Sequence, residues 1–226
     1  MGIRLTQAPA EEPVSLDDAK LHLNIDLDDT TWDSKIKSLI IAARLHAENV
    51  CRRVFVTQKY DLYLDAFPFY TYYGVIPGYV PVDQLPAGWM TMRNYSVRFR
   101  GSKIDIPFPR LQSVDEVTYI DALGATQTLD PSLYVVDNVS EPGVLTPQTG
   151  TYWPDTLNTT NAVKIGFTAG YGAAADVPEG IKTWMLIRIG SLFENREEVS
   201  VAYRVTVQAL PYVDTLLDPY RIMGYA

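Results

Sequence analysis

Few side chains in this 226-residue chain are of the types that do chemistry, and their spacing argues against each reaction in turn. His22 and His46 are the only histidines, and they fall on separate helical stretches. A histidine-based metal centre needs both imidazoles and neighbouring acids at ligand spacing, which this pattern lacks. A serine hydrolase needs a histidine base beside a nucleophile elbow, and no G-x-S-x-G occurs. Neither a P-loop lysine motif nor G-x-G-x-x-G is present. The loop NIDLDDTTWD puts Asn24, Asp26 and Asp28 at alternate positions, as a calcium loop would. It lacks the sixth-position glycine and has Lys35 where the bidentate glutamate belongs, so helix capping is the expected use of these acids. The carboxylate pairs Asp115-Glu116 and Glu197-Glu198 are the material of a glycosidase, but adjacent strand residues point to opposite faces, so the first pair is badly arranged to share a substrate. Cys51 is the only cysteine, which excludes an internal disulfide, and its apolar helical setting predicts a buried thiol. No catalytic residue, metal or cofactor is assigned.

The elements that would have to position these groups divide the chain in three. Ser15, with Asp18 three residues on, caps a first helix carrying Leu16, Ala19 and Leu23 on one face. Asp26 to Thr31 breaks it. A second helix over about Trp32 to Arg53 has Ile36, Leu39, Ile40, Ala43, Ala47 and Val50 in one buried stripe. Lys35, Lys37, Arg44 and Glu48 fall elsewhere and read as solvated or interface charge. From Val54 the period changes to two. VTQKYDLYLDAF, SVRFRG, KIDIPF, VDEVTYID, LYVVD and NAVKIGFTAGY read as strands, punctuated at Leu123-Gly124, Asp130-Pro131 and Glu141-Pro142-Gly143. Pro178 and Glu179 open a further helix with Ile181, Trp184, Met185, Ile189, Leu192 and Phe193, and a short last helix holds Leu210, Val213, Leu216 and Leu217.

These elements predict an α+β fold. A helical bundle formed by residues 13–53 and 177–222 encloses an inserted antiparallel β domain, 54–176, built as a small barrel or sandwich. Residues 1–12 and 223–226 are expected to be flexible tails. The Tyr- and Pro-rich stretch 67–103 reads as a long ordered loop, and Tyr70, Tyr72, Tyr73, Tyr79 and Trp89 within it are candidate interface anchors. Glu197, Glu198, Tyr203 and Arg204, between the last two helices, form a second interface candidate.

Composition narrows the partners. The chain is 47% hydrophobic and 20% charged, as in a globular protein. Its net charge is −8 and its pI about 4.7, which disfavours bulk attraction to nucleic acid or anionic membrane. No run approaches the ~18 apolar residues of a membrane span, and no signal peptide is recognisable at the N-terminus.

The ordered motifs resemble a known family. PVSLDDAKLHLNID, a long helix ending in Glu48-Asn49-Val50-Cys51-Arg52-Arg53, IDIPFPRLQSVDEVTYID, VVDN, VKIGFTAGYG, VPEGIKTWMLIRIGSLFENREEV and LLDPYR follow one another as in tailed-phage head-tail connectors. The chain is similar to the gp6-like and phiE125 gp8-like adaptor, or head-completion, group. The stretch 67–103 is the departure, being longer and richer in tyrosine than the resemblance leads one to expect. The resemblance implies a structural virion protein of the neck, assembled in the host cytoplasm, forming a ring of about twelve copies below the portal. It implies as partners the portal, a head-closure (stopper) or tail-terminator protein and the chain itself. Genome DNA would pass through the channel without sequence-specific binding. Leu217, Asp218, Pro219, Tyr220 and Arg221 match the end that members direct toward the portal. The competing expectation is a carbohydrate- or receptor-binding β module that uses the aromatics of 67–95.

Overall fold

The computed structural model describes residues 1–68, 70–72, 97–99, 103–194 and 211–222. Tyr73, Tyr79, Trp89, Glu197, Glu198, Tyr203, Arg204 and the tail 223–226 therefore lie outside the described residues.

The helices begin where the sequence offers caps. Helix α1 (Leu16–His22) starts after Ser15, whose Oγ accepts from the Asp18 amide at 3.0 Å and donates to the Asp18 carboxylate at 2.6 Å. Helix α2 (Asp33–Cys51) ends at Arg52, which takes the left-handed conformation (φ 54°), and the Arg53 amide returns to the Glu48 carbonyl at 3.2 Å. Helix α3 (Glu179–Glu194) follows Pro178, and α4 (Pro211–Thr215) is a short helix leading into a 3-10 turn at Asp218–Tyr220. Ala19, Ile36, Ile40, Ala43, Ala47 and Cys51 pack with Val177, Ile181, Trp184, Met185 and Ile189 in one apolar cluster that also takes in Leu217. Of the stripe that its spacing predicts on α2, Ile36, Ile40, Ala43 and Ala47 are buried, and Leu39 and Val50 pack against them partly buried.

The β part is two antiparallel sheets over a shared core. Strands β1 (Gly2–Gln7), β2 (Gln58–Leu64), β6 (Leu111–Ile120), β7 (Thr126–Thr128) and β10 (Val163–Ala169) form a five-stranded sheet in the order β1-β2-β10-β6-β7. Strands β5 (Ile104–Ile106), β8 (Tyr134–Asp137) and β9 (Gly143–Pro147) form a three-stranded sheet in the order β5-β9-β8. Leu62, Val117, Val163, Ile165 and Phe167 from the first meet Ile104, Ile106, Tyr134 and Leu145 from the second. Phe67 stacks on Trp153 at 4.9 Å within that core. A third, two-stranded ribbon pairs β3 (Tyr70–Tyr72) with β4 (Val97–Phe99).

Two expectations need correction. The sheets do not close into a barrel: β1 and β7 lie at opposite ends of the five-stranded order and stay unjoined. Strand β7 is three exposed residues, too short to carry closure. Nor is the whole of 1–12 a loose tail, since Gly2–Gln7 pairs with β2. Its six residues alternate as a strand should, and Arg4 is tied to Asp61 at 2.8 Å with its guanidinium over the Tyr63 ring.

Helical and β parts meet at the Gly170-Tyr171-Gly172 turn. The Tyr171 amide donates to the Phe55 carbonyl at 2.8 Å, and the Thr57 amide to the Gly172 carbonyl at 2.9 Å. At Gly170 (φ +131°) a Cβ would come within 2.8 Å of the Val56 backbone, so this approach requires glycine.

Candidate partner-docking surface

The C-terminal segment is fastened by groups from three directions. Trp184 Nε1 donates to Asp214 Oδ1 at 3.2 Å, fixing α4 to α3. Leu217 is fully buried in the helical cluster, so it anchors the segment and presents no docking side chain, contrary to its expected role. Tyr220 is half-buried, its ring against Gly180. The Ile222 amide donates to the Cys51 carbonyl at 3.2 Å, using a helix-end carbonyl left without an intrahelical partner. Asp218, Pro219 and Arg221 remain exposed, and Asp218 and Arg221 form a surface ion pair at 3.3 Å. Such a pair contributes little to stability, so both charges are free to exchange partners.

Arg53 organises this attachment. Its side chain is buried, with Nε donating to the Tyr220 carbonyl at 2.8 Å and one terminal nitrogen donating to Tyr171 Oη at 3.0 Å. The other terminal nitrogen reaches Glu141 Oε2 at 2.6 Å. Glu141, in the β8–β9 turn, also accepts from Arg110 Nε at 3.3 Å, and Arg110 lies over the Tyr171 ring. Burial by itself pushes the Glu141 carboxyl up, but donation from Arg53 and then Arg110 outweighs it and holds the carboxyl below its ordinary value.

A second buried guanidinium corrects the reading of α2. Arg44 and Glu48 are not solvated charge: Arg44 is buried, donating to Glu12 Oε2 at 2.7 Å and to Glu48 Oε2 at 2.8 Å. Glu48 also accepts from the Phe55 amide at 3.1 Å and Gln58 Nε2 at 3.0 Å. Burial holds the Glu48 carboxyl above its ordinary value, outweighing the nearby Arg44 charge and the hydrogen bonds from Phe55, Arg44 and Gln58.

Several of the described residues singled out for chemistry are used structurally, while the Glu197-Glu198 pair lies outside the described residues. Lys20, buried at the end of α1, donates to the Leu27 carbonyl at 3.0 Å and meets Asp33 Oδ1 at 2.6 Å, so an internal ammonium fills the acidic loop. Among the described residues no cluster of His, Cys, Asp and Glu could hold a metal ion. His46 stacks on Trp184, whereas His22 lies beside Gly190. Burial pushes the Cys51 thiol up to about 11, which makes it a poor nucleophile. Asp115 accepts from Thr168 Oγ1 at 3.0 Å while Glu116 pairs with Lys164, so these carboxylates do not converge. No described helix is long and apolar enough to cross a membrane.

Beside the C-terminal attachment lies an apolar groove of about 610 Å³, lined by Met1, Leu64, Ile104, Phe108, Pro142 and Ile222 among others. Of the aromatic interface candidates, Tyr70 and Tyr72 lie on β3. Sequence reasoning missed Arg53, Glu141 and Tyr171 as a set. Each sits in a quoted motif (ENVCRR, EPG, TAGYG), but their pairing spans up to 118 positions and leaves no local signal.

Comparison with known proteins rests on the fold. No family model matches the chain, and no curated protein sequence matches it. Solved structures do match over all of it. The chain superposes on a chain in the neck of an empty gene transfer agent (GTA) particle computed with C6 symmetry, with a TM-score of 0.71 at 16% identity. It is similar to a chain of the virion of a native GTA particle (TM-score 0.70, 16% identity) and to one in the neck of a native GTA particle computed with C12 symmetry (0.64, 15%). In each case 98% of the other chain is covered. At this level of identity, what the chain demonstrably has in common with these particle proteins is its α+β fold, over its full length.

Proposed function

We propose that this chain is a structural protein of the neck of a tailed-phage-like particle, acting as the adaptor between the portal and the next head-closure or tail component. The observation that carries the reading is the full-length match to chains of GTA necks and virions, which agrees with the order of connector-like motifs in the sequence. Copies assemble head-to-tail into a ring, of about twelve by analogy with the C12 neck. The activity is binding, with no catalytic step. Genome DNA passes through the ring, and the chain's net charge of −8 suits a conduit that must not retain it. Assembly takes place in the host cytoplasm.

The portal-facing surface in this reading is the exposed part of the C-terminal segment, Asp218, Pro219 and Arg221, with the Tyr220 edge beside them. Leu217 holds it from behind. The test is native mass of the protein with its cognate portal ring, for the unaltered chain and for Arg221→Glu. The unaltered chain is expected to give close to one copy per portal subunit, and the variant a folded protein with weakened binding. Absence of any complex would overturn the adaptor reading. Full binding by Arg221→Glu would remove Arg221 from the docking surface.

A further inference from the structure

The turn that joins β6 to β7 presents an apolar tip. Hairpin turns are ordinarily polar, yet this one reads Ala122-Leu123-Gly124-Ala125, and Leu123 is 94% exposed. Leu123 belongs to neither apolar cluster. The tip is also held in shape. Asp121 Oδ1 accepts from the amides of Leu123 and Ala125 at 2.9 Å each, and Oδ2 accepts from Gln127 Nε2 at 2.9 Å. Gly124 (φ +86°) closes the turn, its amide donating to the Asp121 carbonyl. Donation from Gln127 and then from the backbone holds the Asp121 carboxyl below its ordinary value, so the turn is anionic, and residues 121–128 include no cation.

The complementary shape lies across the sheet. The apolar groove described above is lined by Met1, Leu64, Ala66, Ile104, Phe108 and Ile222 among others. The exposed charges of its lining are Arg52, Lys103 and Asp105, two cations against one acid. Groove and tip belong to opposite edges of the order β1-β2-β10-β6-β7, and they share one level. Leu64, Val163, Tyr119 and Gln127 form a row across β2, β10, β6 and β7, while Gly2 pairs with Tyr63 beside that row. Ala66 and the turn both follow just beyond the row, past the end of β1, and Ala66 is exposed there. A rotation about an axis along the strands therefore carries tip toward groove without a rise. That is the condition on which a head-to-tail contact closes into a ring rather than a filament.

We infer that the β6–β7 turn of one copy seats Leu123 in this groove of the next copy, with Asp121 toward Arg52 and Lys103. The inference rests on the ring reading above and names the surfaces that join adjacent copies.

The test is sedimentation of the full-length protein up to millimolar concentration, with the variants Leu123→Glu and Ala66→Glu. Both positions are exposed, so neither change touches a core. The unaltered chain is expected to associate, and each variant alone to associate about tenfold or more weakly. The two variants mixed are expected to dimerise and go no further, since one retains only the groove and the other only the tip. If the parent associates but the mixture stays monomeric, or either variant associates as well as the parent, the contact is wrong. The groove is then idle or holds a different occupant, and the ring reading stands. Should the unaltered chain stay monomeric, Leu123→Cys with Ala66→Cys in one chain is oxidised on the cognate portal ring. Strands β10 and β6 separate the two positions by ~12 Å, too far for an internal bridge, and Cys51 is buried. Disulfide-linked multimers are expected on the portal. Their absence from a fully occupied portal overturns the contact and leaves the adaptor reading intact, whereas failure to bind the portal overturns both.

Discussion

Arg53 and Glu141 show how much of this structure depends on single charged side chains. A buried guanidinium is retained only where its donors are matched, and Arg53 spends them on a carbonyl, a phenol and a carboxylate from three distant segments. The consequence for pH follows from the carboxylate. Glu141 is held below its ordinary value of about 4.5, so the unfolded chain takes up this proton before the folded one does. Its contribution is therefore fully present above that value and is lost as the pH falls through the lower, folded one. Thermal melts followed from neutral to acid pH should show Glu141→Gln less stable than the parent at neutral pH, with the gap narrowing in acid. A gap that stays constant with pH would mean that the Glu141 charge does not report on the junction. Glu48 runs the other way: its raised value makes the folded state the better proton binder, so its share of stability falls as the pH rises through that window.

At the scale of elements, the turn Gly170-Tyr171-Gly172 decides whether strand and helix can meet. An alanine at Gly170 would put its Cβ 2.8 Å from the Val56 backbone in a conformation that only glycine adopts cheaply, whereas Gly124, also at positive φ, has open space around it. Gly170→Ala should cost about 2 kcal/mol or more in urea unfolding, and Gly124→Ala about 1 kcal/mol, since strain alone acts there. Equal losses would show that the close approach at Gly170 is relieved by movement of the Val56 strand entry. The elements differ in how far local sequence announces them. The Ser15 cap and the α2 stripe were legible because a cap and a 3.6-residue period are written within a few residues of each other. Strand β1 was not, since six alternating residues at a chain end are weak evidence until a partner some sixty positions away is known. The solvated reading of Arg44 failed for the same reason, because helical periodicity cannot reveal that Glu12 folds back onto that face.

For the whole molecule, the question is whether two apolar cores make one cooperative unit. Among the described residues the helical cluster and the β cluster share no buried residue, and each is large enough to suggest separate melting. Polar and backbone contacts join them: the Tyr171–Phe55 and Thr57–Gly172 bonds, and Arg53 bound at once to the β8–β9 turn and to the C-terminal segment. In the adaptor role proposed above, cores that opened one at a time would transmit load badly. The chain supplies its own probe in Cys51, whose thiol is buried in the helical core and pushed up to about 11. In urea, alkylation of Cys51 and loss of β-sheet circular dichroism should follow one transition in the parent protein. Arg53→Ala should cost on the order of 3 kcal/mol, as removal of one partner from a buried ion pair does. It should also separate the transitions, with Cys51 becoming reactive while the sheets persist. If the parent already shows two transitions, the cores are independent and the Arg53 junction merely orients them. If Arg53→Ala keeps one transition at reduced stability, the Gly170–Gly172 backbone bonds are enough to hold the cores together, and the coupling belongs to the turn rather than to the charge.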